Sequence, residues 1–262
     1  MMKSTQALVI FAALALPGLL QASDAQVKRG EAIATDAACA SCHTPPGGAP
    51  YSGNQLGGWV AYNITSDPQA GIGNWSDEEL LDYLRSGHVE GKAQAAGPMT
   101  AIIENTTASL SDSDLKALAA YIRAIPAANP TGETRNRSDY GQAVSEAEQI
   151  RGKPFAATEI ASGARLYLGN CAACHGTRGD GGGGGYYPSL VGNSAVGAAT
   201  ADNLVNVILH GVSRKADGKE YYMPGFAGAL TDGEVVSLAD FVLRHFGRPE
   251  VKVTLADVKS RR

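Results

Sequence analysis

Four stretches of the chain carry apolar residues three and four positions apart, the spacing of one helix face. In the first, Leu80, Leu81 and Leu84 follow Ser76 and Glu79, a pair that reads as a capping box, and Gly87 stops the helix. In the second, Leu115, Leu118, Ala119, Ile122 and Ile125 follow Ser111 and Asp114 and end at Pro126. The third spans residues 202–210, with Leu204, Val207 and Ile208 on one side and Gly211 as its stop. The fourth sets Val235, Leu238, Ala239, Val242 and Phe246 behind Thr231 and Glu234 and closes at Gly247. Two further helices, 27–38 and 160–168, lead into segments that carry cysteines. No stretch alternates as a half-buried strand would. Residues 129–157 are polar and hold Pro130, Gly132, Gly141, Gly152 and Pro154, so they read as a linker, with a short helix over 144–150.

The elements come in two matching sets. Gly30-Glu31-Ala32 before Cys39 corresponds to Gly163-Ala164-Arg165 before Cys171. Leu84-Arg85-Ser86-Gly87 corresponds to Ile208-Leu209-His210-Gly211, and twelve positions after each glycine stands a methionine, Met99 or Met223. Leu110 to Leu115 and Leu230 to Val235 also align. One architecture is written twice. The reading is an all-α chain of two tandem domains, 23–128 and 158–248, joined by the linker 129–157 and followed by a tail, 249–262. Residues 1–22 read as a signal peptide: Lys3, an apolar stretch from Ala7 to Leu20 broken by Pro17-Gly18, and a small residue, Ala22, before the cleavage point. An uncleaved N-terminal anchor is the alternative.

Composition narrows the function. Without the leader the chain carries 21 basic and 26 acidic residues (22 less Lys3, against 26), which argues against nucleic acid as a partner. Aromatic residues make up 6% of the chain and glycines number 32, a thin supply of core for two domains. Something apolar has to supply the missing bulk, and the chain without it is expected to fold poorly.

All four cysteines fall in two motifs, Cys39-Ala40-Ser41-Cys42-His43 and Cys171-Ala172-Ala173-Cys174-His175. Both read C-x-x-C-H, the attachment pattern of c-type haem. Two thiols one helical turn apart can each add to a vinyl group of one porphyrin, and the next residue sets an imidazole under the iron. A structural zinc site would bring the two pairs within about 12–20 residues of each other, and a dithiol redox pair would need a βαβ context. Neither accounts for the histidine after each pair. The chemistry predicts two covalently bound haem c groups, held by Cys39, Cys42, Cys171 and Cys174, with His43 and His175 on the irons. It places the protein in the bacterial periplasm.

A six-coordinate iron needs a ligand on its other face. Met99, in Gly97-Pro98-Met99, and Met223, in Met223-Pro224-Gly225, are the only methionines beyond the leader. Each is expected on an irregular stretch between two helices, where proline stiffens the approach of the thioether and His/Met ligation raises the reduction potential. The competing reading, core-filling methionine, does not explain their matched placement. His88, His210 and His245 are rival ligands without counterparts in the other unit; His88 reads as flexible or exposed. Trp59, Trp75, Tyr186, Tyr187, Tyr221 and Tyr222 either border haem or pack the core. Residues 181–185, all glycine, lack the lysine and setting of a phosphate loop and read as a flexible loop near the second haem. Asn63-Ile64-Thr65 fits a glycosylation pattern that carries no weight here.

Both halves resemble class I cytochrome c domains. More specifically, the chain resembles the cytochrome c subunits of periplasm-facing bacterial dehydrogenases for alcohol, aldehyde and gluconate. The resemblance rests on Cys39 to Gly48 and on Asn63-Ile64-Thr65-Ser66-Asp67-Pro68 running to Gly71-Ile72-Gly73-Asn74-Trp75-Ser76. In the second half it rests on Gly163 to Tyr167, the haem motif, Val207 to Gly211 and Met223-Pro224-Gly225-Phe226. It implies that the Pro188 carbonyl in Pro188-Ser189-Leu190-Val191-Gly192 accepts a bond from the proximal imidazole, with Pro50 as a weaker counterpart in the first half. It also implies electrons arriving from a dehydrogenase catalytic subunit and leaving to a quinol-linked or oxidase respiratory acceptor. Many subunits of that group carry three haem domains, and some a C-terminal amphipathic anchor; here two haem motifs are present and the tail, 251–262, is short and charged, which argues against such an anchor and leaves peripheral association with a membrane open.

The expected function is electron transfer without catalysis, since filled axial positions leave no site for substrate. Alternatives are a free-standing dihaem shuttle, a dihaem peroxidase or thiosulfate-oxidising enzyme, and a haem sensor with a displaceable methionine.

Overall fold

The computed structural model describes residues 23–143, 146–154, 162–182, 186–216 and 218–262. The expected leader, the start of the 144–150 and 160–168 helices and glycines 183–185 lie outside the described residues. The first half contains helices α1 (Asp24–Asp36), α2 (Cys39–His43), α3 (Asp77–Ser86), α4 (Pro98–Asn105) and α5 (Asp112–Ala124). The second contains α6 (Glu146–Ile150), α7 (Gly163–Asn170), α8 (Ala172–His175), α9 (Asp202–His210), α10 (Asp232–Phe246) and α11 (Leu255–Lys259).

The first and last long helices of each half cross at a glycine. A Cβ at Gly30 of α1 would lie 1.9 Å from the Ala117 carbonyl oxygen of α5, and one at Gly163 of α7 would lie 2.4 Å from the Ser237 carbonyl oxygen of α10. The two glycines matched in the sequence are therefore the two points of closest helix approach. Around the first crossing Ile33, Leu80, Leu84, Leu115, Leu118 and Ile122 form one core; around the second, Tyr167, Val205, Leu209, Leu238, Phe241 and Phe246 form another.

The caps follow the sequence signals with one exception. Ser76 and Glu79 close a reciprocal capping box on α3, and Thr231 and Glu234 close another on α10. On α5 the Ser111 hydroxyl accepts from the Asp114 amide at 3.1 Å, but the Asp114 carboxylate instead accepts from Arg29 of α1 at 2.8 Å. An ion pair across the helix crossing replaces the second half of that box.

The domains are helical, as expected, but not purely so: the helices are accompanied, among the described residues, by three small antiparallel hairpins. These pair β1 (Asn54–Leu56) with β2 (Trp59–Ala61), β3 (His88–Val89) with β4 (Ala93–Gln94), and β5 (Val212–Ala216) with β6 (Lys219–Met223). The 249–262 segment also differs from a free charged tail. Val253 and Val258 are buried in the second core, Arg261 pairs with Asp202, and Arg262 with Asp232 at 2.6 Å. No helix among the described residues is long and apolar enough to cross a membrane.

The halves dock through polar side chains on backbone. The Asn203 side chain of α9 accepts from Val60 N–H at 2.8 Å and donates to the Val60 carbonyl at 2.9 Å, closing the open edge of β2 like one more strand residue. Asn206 donates to the Gly58 carbonyl at 2.8 Å. Arg214 of β5, fully buried, reaches into the first half: Nε donates to the Ser86 carbonyl at 2.9 Å, Nη1 to the Ala95 carbonyl at 2.7 Å and Nη2 to Gln94 at 3.1 Å, while its plane lies 4.3 Å from the centre of the Tyr221 ring.

Candidate haem sites

Ala38, in the left-handed conformation at φ 53°, turns the chain out of α1 so that α2 begins a new direction at Cys39. One helical turn then carries Cys39, Cys42 and His43. In the second half Cys171 ends α7 and hands over to α8, which carries Cys174 and His175. None of the four cysteines is in a disulfide. Burial raises the Cys39 thiol above its ordinary range, and it pushes the Cys171 thiol, beside Cys174, up to about 12.

Each imidazole is oriented by one backbone carbonyl. His43 Nδ1 donates to the Tyr62 carbonyl at 2.7 Å, and His175 Nδ1 to the Pro188 carbonyl at 2.9 Å. An acceptor at Nδ1 fixes the tautomer and leaves Nε2 with its lone pair. Burial lowers both histidines below their ordinary range; for His43 the Tyr62 carbonyl opposes this and the nearby Arg137 charge adds to it. Burial therefore favours the neutral ring, the form that can ligate through Nε2. The expected Pro188 contact is present. In the first half the acceptor is Tyr62 and not Pro50, because the β1–β2 hairpin brings residue 62 to the imidazole.

Met99 and Met223 differ from the irregular setting expected for them. Met99 lies in the first turn of α4, directly after Pro98, where a Cβ on Gly97 (φ 55°) would lie 2.6 Å from the Trp59 ring. Met223 ends β6, opposite Val212, and Gly211 (φ 73°) packs against it so closely that a Cβ there would meet the Met223 carbonyl oxygen at 2.2 Å. Regular structure and a glycine contact do the stiffening assigned to a loop.

All eight residues open on one cavity of about 380 Å³ whose walls come from both halves and are overwhelmingly apolar. Trp59, Trp75, Tyr186, Tyr187, Tyr221 and Tyr222 line it as well. The rival histidines do not. His88 is half-buried in β3 with its ring 5.8 Å from that of Tyr221, His210 Nε2 contacts the Arg261 carbonyl at 2.7 Å, and the His245 ring lies 4.5 Å from Phe241. No three His, Cys, Asp or Glu side chains among the described residues converge as a separate metal site would require. Two cysteines one turn apart, an imidazole with Nδ1 engaged and a thioether facing an apolar cavity fit a covalently held haem, once in each half.

The sequence reading missed Tyr62, Arg137 and Asn203, which also line the cavity. No spacing could single them out. Asn63 is settled too: its amide donates to the Ala128 carbonyl at 2.7 Å and accepts from Thr65, so it is a buried turn residue and not a glycosylation site. The tight loop it starts packs Gly71 and Gly73 on the Thr65 and Ser66 carbonyls, which explains the 63–76 signature.

Fold and donor set together define a two-domain c-type cytochrome. Comparison with known proteins agrees: the family described as cytochrome c matches residues 27–126, and the family described as cytochrome C oxidase, cbb3-type, subunit III, matches residues 158–242. The chain belongs to the cytochrome c family and carries two cytochrome c domains, each with a covalently bound haem c. It is 39% identical to a fructose dehydrogenase cytochrome subunit from Gluconobacter japonicus over 84% of this chain and 49% of that one. It is 30% identical to the cytochrome c subunit of a quinone alcohol dehydrogenase from Gluconacetobacter polyoxogenes, over 90% and 52%. A thiosulfate dehydrogenase electron acceptor from Stutzerimonas stutzeri is 32% identical over 88% of this chain and 90% of its own length. The chain spans about half the length of the sugar and alcohol dehydrogenase subunits it matches.

Proposed function

We propose that the protein is a periplasmic dihaem electron carrier that takes electrons from a dehydrogenase catalytic subunit and passes them to a respiratory acceptor. In this reading Cys39 and Cys42 hold one haem, with His43 and Met99 as iron ligands, and Cys171 and Cys174 hold the other, with His175 and Met223. The observation that carries it is the single apolar cavity into which all eight side chains open. Haem iron supplies the chemistry, one electron at a time, by cycling between ferrous and ferric.

The chain's own residues do the rest. The Tyr62 and Pro188 carbonyls hold the two Nδ1 protons and so the ring orientations. The thioethers of Met99 and Met223, which face the cavity, would hold the irons and so compete with peroxide or another small ligand, which favours transfer over turnover. Docking through Asn203, Asn206 and Arg214 keeps the two sites in one body.

The near end-to-end likeness to an electron acceptor of a thiosulfate dehydrogenase favours, as the second reading, a free-standing carrier that meets its dehydrogenase only transiently. The deciding experiment adds alcohols, aldehydes, sugars and sugar acids in turn to the gently prepared native complex and follows haem reduction by visible absorbance, with the isolated cytochrome as control. Reduction in the complex alone supports the subunit reading. Chemical reduction without substrate reduction supports the carrier, and turnover of peroxide or thiosulfate by the isolated protein overturns both.

A further inference from the structure

One amide links the buried arginine that docks the halves to a titratable ring. Arg214 Nη2 donates to Gln94 Oε1 at 3.1 Å, and Gln94 Nε2 donates to His88 Nδ1. A guanidinium has only donors, so the Gln94 atom facing it is the carbonyl oxygen, which leaves the NH2 group for His88. His88 Nδ1 must then present its lone pair. This arrangement needs the neutral ring, with its proton on Nε2.

Both neighbours of Gln94 are confined. Arg214 is fully buried, with Nε on the Ser86 carbonyl and Nη1 on the Ala95 carbonyl, so Gln94 is the third acceptor that the first half gives it. His88 is half-buried in β3. From β6 the Tyr221 ring lies 5.8 Å from the His88 ring, but Arg214 already stands 4.3 Å from the centre of that tyrosine. From α3 the Ser86 hydroxyl bonds the His88 backbone, and Arg85 is spent on Asp112 and the Ala108 and Leu110 carbonyls. Arg214 of β5 and Lys219 of β6 oppose a positive charge on His88, whereas Glu90, exposed on the β3–β4 turn, favours one. Burial, with Arg214 behind it, holds His88 below its ordinary range.

A proton added at Nδ1 would set N–H against NH2. Relief requires the Gln94 amide to turn over, giving its oxygen to His88 and its NH2 group to Arg214. Two donors then meet at the other end, and a buried guanidinium loses an acceptor. The amide can serve Arg214 together with a neutral imidazole, but not Arg214 together with an imidazolium. We infer that Gln94 is a proton-operated latch between the halves: beside neutral His88 it holds Arg214 and keeps the halves docked, and beside protonated His88 it gives up Arg214 and loosens the β5–β6 hairpin from the first half. A histidine held low in the docked form takes its proton more readily once undocked. Docking is therefore complete above the ordinary histidine value of about 6.5 and weakens as pH falls from there through the docked value. The latch belongs to the docking itself and does not depend on which partner the carrier serves.

The test is amide hydrogen exchange on the full chain with its haems attached, at about pH 7.5 and about pH 5, either side of the ordinary histidine value. Protection factors are compared, so that the intrinsic pH dependence of exchange cancels. In wild type, protection at residues 86–95 and 212–216 should fall several-fold at the lower pH, while α5 and α10 stay protected. His88→Phe keeps a ring against Tyr221 but cannot titrate, so its protection at these segments should be the same at both values. Gln94→Glu offers two acceptor oxygens, one for Arg214 and one for an imidazolium, so the loss at low pH should be absent there too. A contact that merely packs the interface would not be rescued by that added charge. Equal protection at both pH values in wild type would overturn the inference, as would the wild-type loss persisting in His88→Phe or in Gln94→Glu, or a loss shared evenly by α5 and α10. If His88→Phe fails to fold, Gln94→Glu and the wild-type comparison decide.

Discussion

The side chains facing the cavity divide the work in a way that single substitutions can separate. Met99 and Met223 sit on unrelated supports, a helix start and a strand end, so each should act on its own haem. Met99→Ala and Met223→Ala should each remove half of the far-red methionine–iron absorbance, lower one potential and open one iron to carbon monoxide; loss of both bands in either variant would contradict separate ligation. At this scale the sequence was most legible where covalent chemistry demands a residue type at a spacing, as at the four cysteines and two histidines. It was silent about the Tyr62 carbonyl, since a backbone acceptor carries no residue identity, and about Arg137, one cation among many in a polar stretch.

The helices test the local rules. Thr231→Ala removes the hydroxyl that caps α10 and should cost about 1 kcal/mol of stability, measured by denaturant unfolding. Hydrogen bonds from the Thr231 backbone and hydroxyl hold the Glu234 carboxyl below the ordinary carboxylate range. A depressed carboxylate contributes stability above its unfolded value and loses it as pH falls through the folded one. Glu234→Gln should therefore flatten the acid side of the stability–pH curve, and an unchanged slope would refute the capping role. Gly30→Ala places a methyl against the Ala117 carbonyl and should destabilise the first half by about 1–3 kcal/mol, seen as a lower thermal midpoint. The helices were readable because their apolar periodicity and caps lie within a few residues. The hairpins were not: each strand has two to five residues, too few to show alternation, and turns and docking partners hold them in register.

The docking of the two halves is where duplication stops being informative. Arg214 belongs to the second copy, and the corresponding position after Gly87 is the exposed Glu90. Arg214→Ala would leave the Ser86 and Ala95 carbonyls without donors, at about 1–3 kcal/mol each. Hydrogen exchange should quicken at residues 58–60 and 86–95 while α10 stays protected; uniform protection would mean that the interface does not depend on this side chain. Repeats announce themselves in a sequence because they are compared with each other, whereas the face each presents to its twin is chosen once.

The wall of the cavity also bears on speed. A charge that appears in water makes many dipoles turn, and that rearrangement is a large part of the barrier to moving an electron. Tightly packed apolar side chains have little to turn. In the proposed carrier, an electron crossing from one half to the other would leave and enter surroundings that scarcely respond, so the step should be fast even with little driving force.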